Sequence, residues 1–418
     1  MTPSWNNRFF TFMTLDTLPP ILASGMKSIA RKGVKQTSLR DVANGAGVSL
    51  GRVTYQYGDK KKLVQAVVCA ACKQSSHQDT LDQNALHAWL KAGPRGFEDW
   101  LAAHCLTLSS DTRRLRRVRR ELFLEARRDS ELRTLALDWR AQDCAFTAHV
   151  LERFDLDPAA HPVLIELRQA VGDLISTSVG APLAAALALN LCRHAARRLS
   201  GHPPPEDDWS TLLGSPSIAS VVEPRPPQDS AALHVLDAAI RVAARDGVNA
   251  LTFRTLAEEA GYSTSVATCR FGNRSGVLAA TFSHAHHRLV ARADRSTAIL
   301  AGLSAYEAIV EGYIASIIHS DGSVREEFAV IDELFAAGRD PALAPLAFEL
   351  TRGRGKTSYN GLKLMARDKT IVPMDGLLVT LSAVAAGSWI SVEEPAERST
   401  VLRRLAETRL RALFNITR

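Results

Sequence analysis

Between residues 21 and 75 the sequence carries Lys27, Arg31, Lys32, Lys35, Arg40, Arg52, Lys60, Lys61, Lys62 and Lys73 against only Asp41 and Asp59. Cations at that density attract a row of phosphates, because each contact releases condensed counterions. Inside the cluster, the segment 49–55 sets Ser49, Arg52, Thr54 and Tyr55 close together. A guanidinium reads guanine bidentately through O6 and N7, and a threonine reaches a base edge or a thymine methyl. Thr37, Ser38, Ser49, Tyr55 and Lys60 carry donors suited to phosphate oxygens, Lys60 aided by the positive end of the helix it opens. The chemistry on offer is recognition of double-stranded DNA, with no cofactor or metal implied.

The segment that positions these residues occurs twice. Residues 21–66 recur without a gap, shifted by 214 positions, as 235–280. Gly33-Val34 matches Gly247-Val248, Arg40 matches Arg254, Ala46-Gly47 matches Ala260-Gly261, and Ser49, Thr54 and Gly58 match Ser263, Thr268 and Gly272. The second copy offers Thr264, Ser265 and Thr268 on its reading segment, with Thr252 as the cap of the helix before it, Gly261 as turn, Ser263 as the next cap, and Arg270 and Arg274 for phosphates. Its other cations, Arg241, Arg245, Arg254, Arg288 and Arg292, face Asp237, Asp246, Glu258 and Glu259, so its pull on DNA should be the weaker.

Local signals read as helices throughout. Apolar residues at Ile21, Leu22, Met26 and Ile29 repeat with helical spacing, and Gly33 ends that helix. Ser38 caps a second helix with Asp41 placed for a capping box, Gly47 supplies a tight turn, Ser49 caps a third helix, and Asp59 caps a fourth that runs past Ala70. That order is a helix-turn-helix. Further helices are expected over 97–108, 115–127, 130–154, 162–179 and 182–199, and no segment sustains strand alternation, so the class is all-α. Residues 201–229 are rich in Pro and acids and read as a linker, whose reach of roughly 30 Å r.m.s. and about 95 Å extended suffices to join two subunits.

These residues resemble the TetR family of one-component transcriptional regulators. The family's small-Gly-Val-Ser, variable helix, two aromatics and helix-opening Lys read here as Ala46-Gly47-Val48-Ser49, Leu50 to Thr54, Tyr55-Gln56-Tyr57 and Gly58-Asp59-Lys60. The second copy departs at Tyr262, Cys269 and Arg274. The resemblance implies two tandem units, each an N-terminal three-helix helix-turn-helix head followed by a helical-bundle domain for ligand binding and dimerisation. The boundaries on that reading are 1–20 for an N-terminal extension, 21–66 and 67–200 for the first unit, 201–229 for the linker, and 230–281 and 282–418 for the second. It also implies an unidentified small-molecule effector. Trp100, His104, Phe123 and Trp139 in the first half, and Tyr313, Phe328, Phe335 and Phe348 in the second, are pocket walls or plain core. A pseudo-dimer within one chain would form through a four-helix bundle of 162–179, 182–199, 373–392 and 394–414; homo-oligomers of the chain are left open. The rival reading is a sensor or partner-binding protein whose second head no longer binds DNA.

The formal charge of +7 and pI near 9.2 permit anionic partners. No run of apolar residues reaches the length of a membrane span, the first residues lack a signal-peptide pattern, and six scattered cysteines do not form a disulfide framework. A cytoplasmic protein without membrane partners is expected. Cys69 with Cys72, and His284 with His287, are read as packed side chains ahead of metal ligands. The arginines between Arg113 and Arg120 are expected to face solvent while Leu115, Val118 and Leu122 form an apolar stripe. No nucleophile elbow, phosphate loop, zinc motif or carboxylate pair occurs, so an enzyme is not expected.

Overall fold

The computed structural model describes residues 18–91, 96–106, 110–177, 182–204, 227, 229–299, 303–338, 340–366 and 370–416. Most of the N-terminal extension and of the Pro-rich linker lies outside them. Among the described residues the chain is helical, with one isolated antiparallel bridge between Ile318 and Val324.

The first head is α1 (Pro20–Gln36), α2 (Leu39–Ala46) and α3 (Leu50–Tyr57), and the second is α10 (Ser230–Asp246), α11 (Phe253–Ala260) and α12 (Thr264–Phe271). The first unit continues through α4 (Lys60–Leu90), α5 (Gly96–Leu106), α6 (Ser110–Ala126), α7 (Ser130–Arg153), α8 (His161–Thr177) and α9 (Pro182–Leu199). The second runs through α13 (Arg274–Ile299), α14 (Ala305–Ile317), α15 (Glu326–Ala337), α16 (Ala344–Arg352), α17 (Lys356–Met365), α18 (Pro373–Ile390) and α19 (Pro395–Phe414).

The last helices of the two units pack together: α8 lies against α18, α9 against α19, and α8 also touches α15 and α16. Buried charges cross this contact. Glu166 of α8 accepts from Arg409 of α19 at 2.9 and 3.1 Å. Arg198 of α9 donates to both oxygens of Asp375 on α18, at 2.8 and 2.6 Å, and the His194 ring joins the same carboxylate at 2.6 Å. Ion pairs this dry stabilise only when their hydrogen bonds are complete, and Asp375 is also satisfied by the Val372 amide at 2.9 Å.

Two expectations need correction. Leu115, Val118 and Leu122 are buried as a stripe, but Arg116, Arg119 and Arg120 do not face solvent. They turn inward because each side of α6 meets a wall of helices that supplies carboxylates: Asp143 from α7, Asp173 from α8 and Asp332 from α15. And α18 is, by length and composition, apolar enough to cross a membrane; 83% of that stretch is buried inside the bundle, which is the ordinary position of a core helix.

Candidate nucleic-acid interface

In the first head the turn chemistry forms as the residue types require. Ser38 Oγ accepts from the Asp41 amide at 3.1 Å while the Asp41 carboxylate accepts from the Ser38 amide at 3.0 Å, completing the capping box. Gly47 stands at φ 65°, a left-handed conformation that glycine adopts without a Cβ clash, and Ser49 Oγ then accepts from the Arg52 amide at 3.2 Å to start α3. Val53 is the one buried residue of α3 and fixes the helix to the core; its burial contributes about 1.5–3 kcal/mol. The other face is open: Leu50, Gly51, Arg52, Thr54, Tyr55 and Gln56 are exposed, Tyr55 at 94%.

Two residues expected on the outer face are engaged elsewhere. Thr37 is 3% exposed, and its hydroxyl donates to the Gly33 carbonyl at 2.8 Å and pairs with Ser28 at 3.1 Å. It braces the break in α1, so its hydroxyl is not directed outward. Lys60 donates to the Lys35 carbonyl at 2.7 Å, and burial pulls its pKa below the usual lysine range.

The second head repeats this frame. Gly261 turns at φ 68°, Ala267 takes the place of Val53 as the buried residue of α12, and Thr252 makes a capping box with Thr255. Thr264, Ser265, Thr268, Cys269 and Arg270 are exposed on the opposite face. Their engagement differs. Ser263 Oγ pairs with Ser265 Oγ at 2.7 Å and does not cap α12, Thr268 donates back to the Thr264 carbonyl at 2.9 Å, and Arg270 is held by Asp229. Arg274 bonds the Val248 carbonyl at 3.3 Å and Asn249 at 3.4 Å. Tyr262 is partly exposed and meets His234 edge-on.

Each head is tied to the bundle by the same contact, which sequence reading missed. The Val34 amide donates to Glu121 of α6 at 3.1 Å, and the Val248 amide donates to Glu333 of α15 at 2.7 Å. Arg128, just beyond α6, donates to Glu333 at 2.7 Å and to the Ala243, Ala244 and Arg245 carbonyls at the end of α10. Arg120 and Arg127 both pair with the fully buried Asp332. The heads also touch directly, through Gln36 to Asn249 at 2.9 Å and Lys35 to the Asp246 carbonyl. A sequence signal existed: single acids inside apolar helices, such as Asp332 in Val330-Ile331-Asp332, need a buried partner.

Of the expected pocket residues, His104, Phe123 and Trp139 line one cavity of about 90 Å³ between α4, α5, α6, α7 and α8. Trp100 stands behind it, stacked on His104 at 5.0 Å. Phe335 lines a smaller cavity of about 10 Å³, while Tyr313, Phe328 and Phe348 lie in the packed core. Burial and Arg168 push the His104 pKa down to about 4, so the ring is neutral. Burial raises Asp79 to about 6 against the pull of Arg168. Cys72 bonds Gln142 at 3.2 Å and burial pushes its thiol up to about 12; His284 pairs with Asp237 at 2.9 Å and His287 with the Ser283 carbonyl at 2.7 Å. Among the described residues no three metal-ligating side chains converge.

A capped tight turn, an exposed helix held by one buried residue and a surrounding field of lysines define a helix-turn-helix DNA-binding regulator. Residues 21–67 and 235–281 each match the family model described as bacterial regulatory proteins, tetR family. The chain thus carries two tandem TetR-type helix-turn-helix heads, each followed by a helical region. No curated protein matches it.

Proposed function

We propose that the chain acts alone as a covalent pseudo-dimer on DNA, gated by a small molecule, and works in the cytoplasm. Arg52 and Thr54 read bases in one half-site, with Ser38, Ser49 and Tyr55 on its phosphates and Lys60 joining them once it leaves Lys35. Thr264, Ser265 and Thr268 read the other half-site, flanked by Thr252, Arg270 and Arg274. The observation that carries this reading is the matched pair of head contacts, Glu121 on Val34 and Glu333 on Val248, whose helices are joined by Arg120 and Arg127 on Asp332. A ligand that prefers one arrangement of α6 and α15 would shift the spacing of the two recognition helices away from the roughly 34–36 Å between adjacent major grooves. The divided segments proposed for the domains follow the boundaries of the two repeats.

The test is sequence selection on the purified chain, with affinity measured between about 50 and 200 mM salt and the mass of the complex by light scattering. One chain should occupy two unlike half-sites, and affinity should fall steeply with salt. Arg52→Ala should cost about 1–3 kcal/mol and relax specificity in one half-site only. The second reading, that the second head has lost DNA, is favoured by the engagement of Arg270 with Asp229 and by the exposed Cys269. Two chains on a perfect palindrome, with Arg52→Ala harming both halves equally, would establish it.

A further inference from the structure

We propose that the cavity of the first unit binds one small carboxylate with a compact apolar body, its charged end on Arg116. The proposal deepens the effector-gated reading above and depends on it only for its regulatory meaning.

The pairing of charged groups around the cavity selects the ligand's sign. Asp143 pairs with Arg119 at 2.5 Å, Asp79 with Arg168 at 3.1 Å, Asp173 with Arg120 at 3.2 Å and Asp82 with His104 at 2.7 Å. Arg116 has no carboxylate among the described residues; Nη2 donates to the His104 carbonyl at 3.3 Å, and Nη1 is buried without a partner. A cation would find every wall carboxylate already held by a donor from the protein. An anion finds one guanidinium that no carboxylate holds.

The unmet hydrogen bonds agree. Trp139, 1% exposed, lines the cavity with an unpartnered Nε1–H, and Gln169, 7% exposed, lines it with an unpartnered Oε1. Buried polar groups are nearly always satisfied in native proteins, so such a set around one cavity marks a place for a complementary molecule. Two carboxylate oxygens can accept from Arg116 Nη1 and Trp139 Nε1, while Gln169 can accept a hydroxyl or amide proton. Leu115 and the Phe123 ring supply the apolar side. A volume of about 90 Å³ is that of about three waters at roughly 30 Å³ each and well below the roughly 150 Å³ that holds benzene, which limits the ligand to about three to five heavy atoms. A phosphate fits less well: its second charge would meet Asp173 and Asp79, whose pKa values burial already raises.

The experiment is calorimetric titration of the full chain, without DNA, with acetate and propionate, each beside its alcohol (ethanol, propan-1-ol), and with inorganic phosphate. At least one carboxylate should bind at one per chain and at least tenfold more tightly than its alcohol. Arg116→Gln should erase that tenfold preference, and Arg116→Lys should restore part of it. Trp139→Phe keeps an aromatic side chain, removes the donor, and should weaken the carboxylate severalfold; it decides the matter if Arg116→Gln does not fold, as thermal melting will report. Equal binding of acid and alcohol, a preference that survives Arg116→Gln, phosphate as tight as the carboxylates, or no carboxylate binding at all would overturn the proposal. None of these results bears on whether the heads bind DNA, which is read separately on the selected site.

Discussion

Arg409 shows how a single side chain supports the junction between the two units. It is fully buried, and its guanidinium is the partner of Glu166, whose carboxyl burial pushes up to about 7 despite the arginine's pull. A carboxyl with a folded pKa above its unfolded one holds its proton more tightly when folded, so it disfavours folding increasingly as pH rises from about 4.5 through about 7. Arg409→Ala removes the compensating charge. The variant's loss of stability relative to the parent should therefore grow by about 1 kcal/mol between pH 5 and pH 8, read by denaturant unfolding at each pH. A loss independent of pH would mean that packing, and not the charge, is what Arg409 contributes.

At the scale of elements, α6 and α15 are the supports on which the heads rest. Each gives a buried glutamate to the amide of a Gly-Val turn, and a charge-assisted bond of that kind contributes about 1.5–3 kcal/mol. Glu121→Gln should speed hydrogen exchange at the Val34 amide by about ten- to a hundredfold while leaving Val248 nearly unchanged, and Glu333→Gln should do the reverse. The second variant should also free Arg128 and so disturb the end of α10, where the arginine bonds three successive carbonyls. Equal changes at both turns in either variant would show that the heads open as one unit.

For the whole molecule, the two units share their interior. One continuous apolar cluster runs from Ile21 through Leu199 and on to Phe414, and the second head with α13, α15 and α16 makes its own. Proteolysis in the Pro-rich segment 205–226 should cut the chain into two pieces. The pieces should nevertheless migrate together in native chromatography, because Glu166, Asp375 and Asp332 each lose a buried partner on separation. Independent elution of two folded fragments would contradict the shared core.

The repeat, the caps at Ser38, Ser49 and Thr252, the turns at Gly47 and Gly261 and the helical class were legible in the residues alone, because each depends on neighbours within a few positions. The exposed face of α3 was legible for the same reason: Val53 is its single apolar anchor at the position where Ala267 serves α12. Thr37, Arg116, Arg120, Glu121 and Glu333 were not. Their roles rest on partners from 9 to 268 positions away, brought together only when the helices pack. An arginine on an amphipathic stripe reads as solvated until a distant aspartate is placed against it, since burial and charge compensation are properties of the assembled interior. Local sequence thus determined which elements form and which face of each is apolar. Tertiary packing decided which charges became internal, where a cavity was left between them, and that each head leans on one of two helices joined by buried ion pairs.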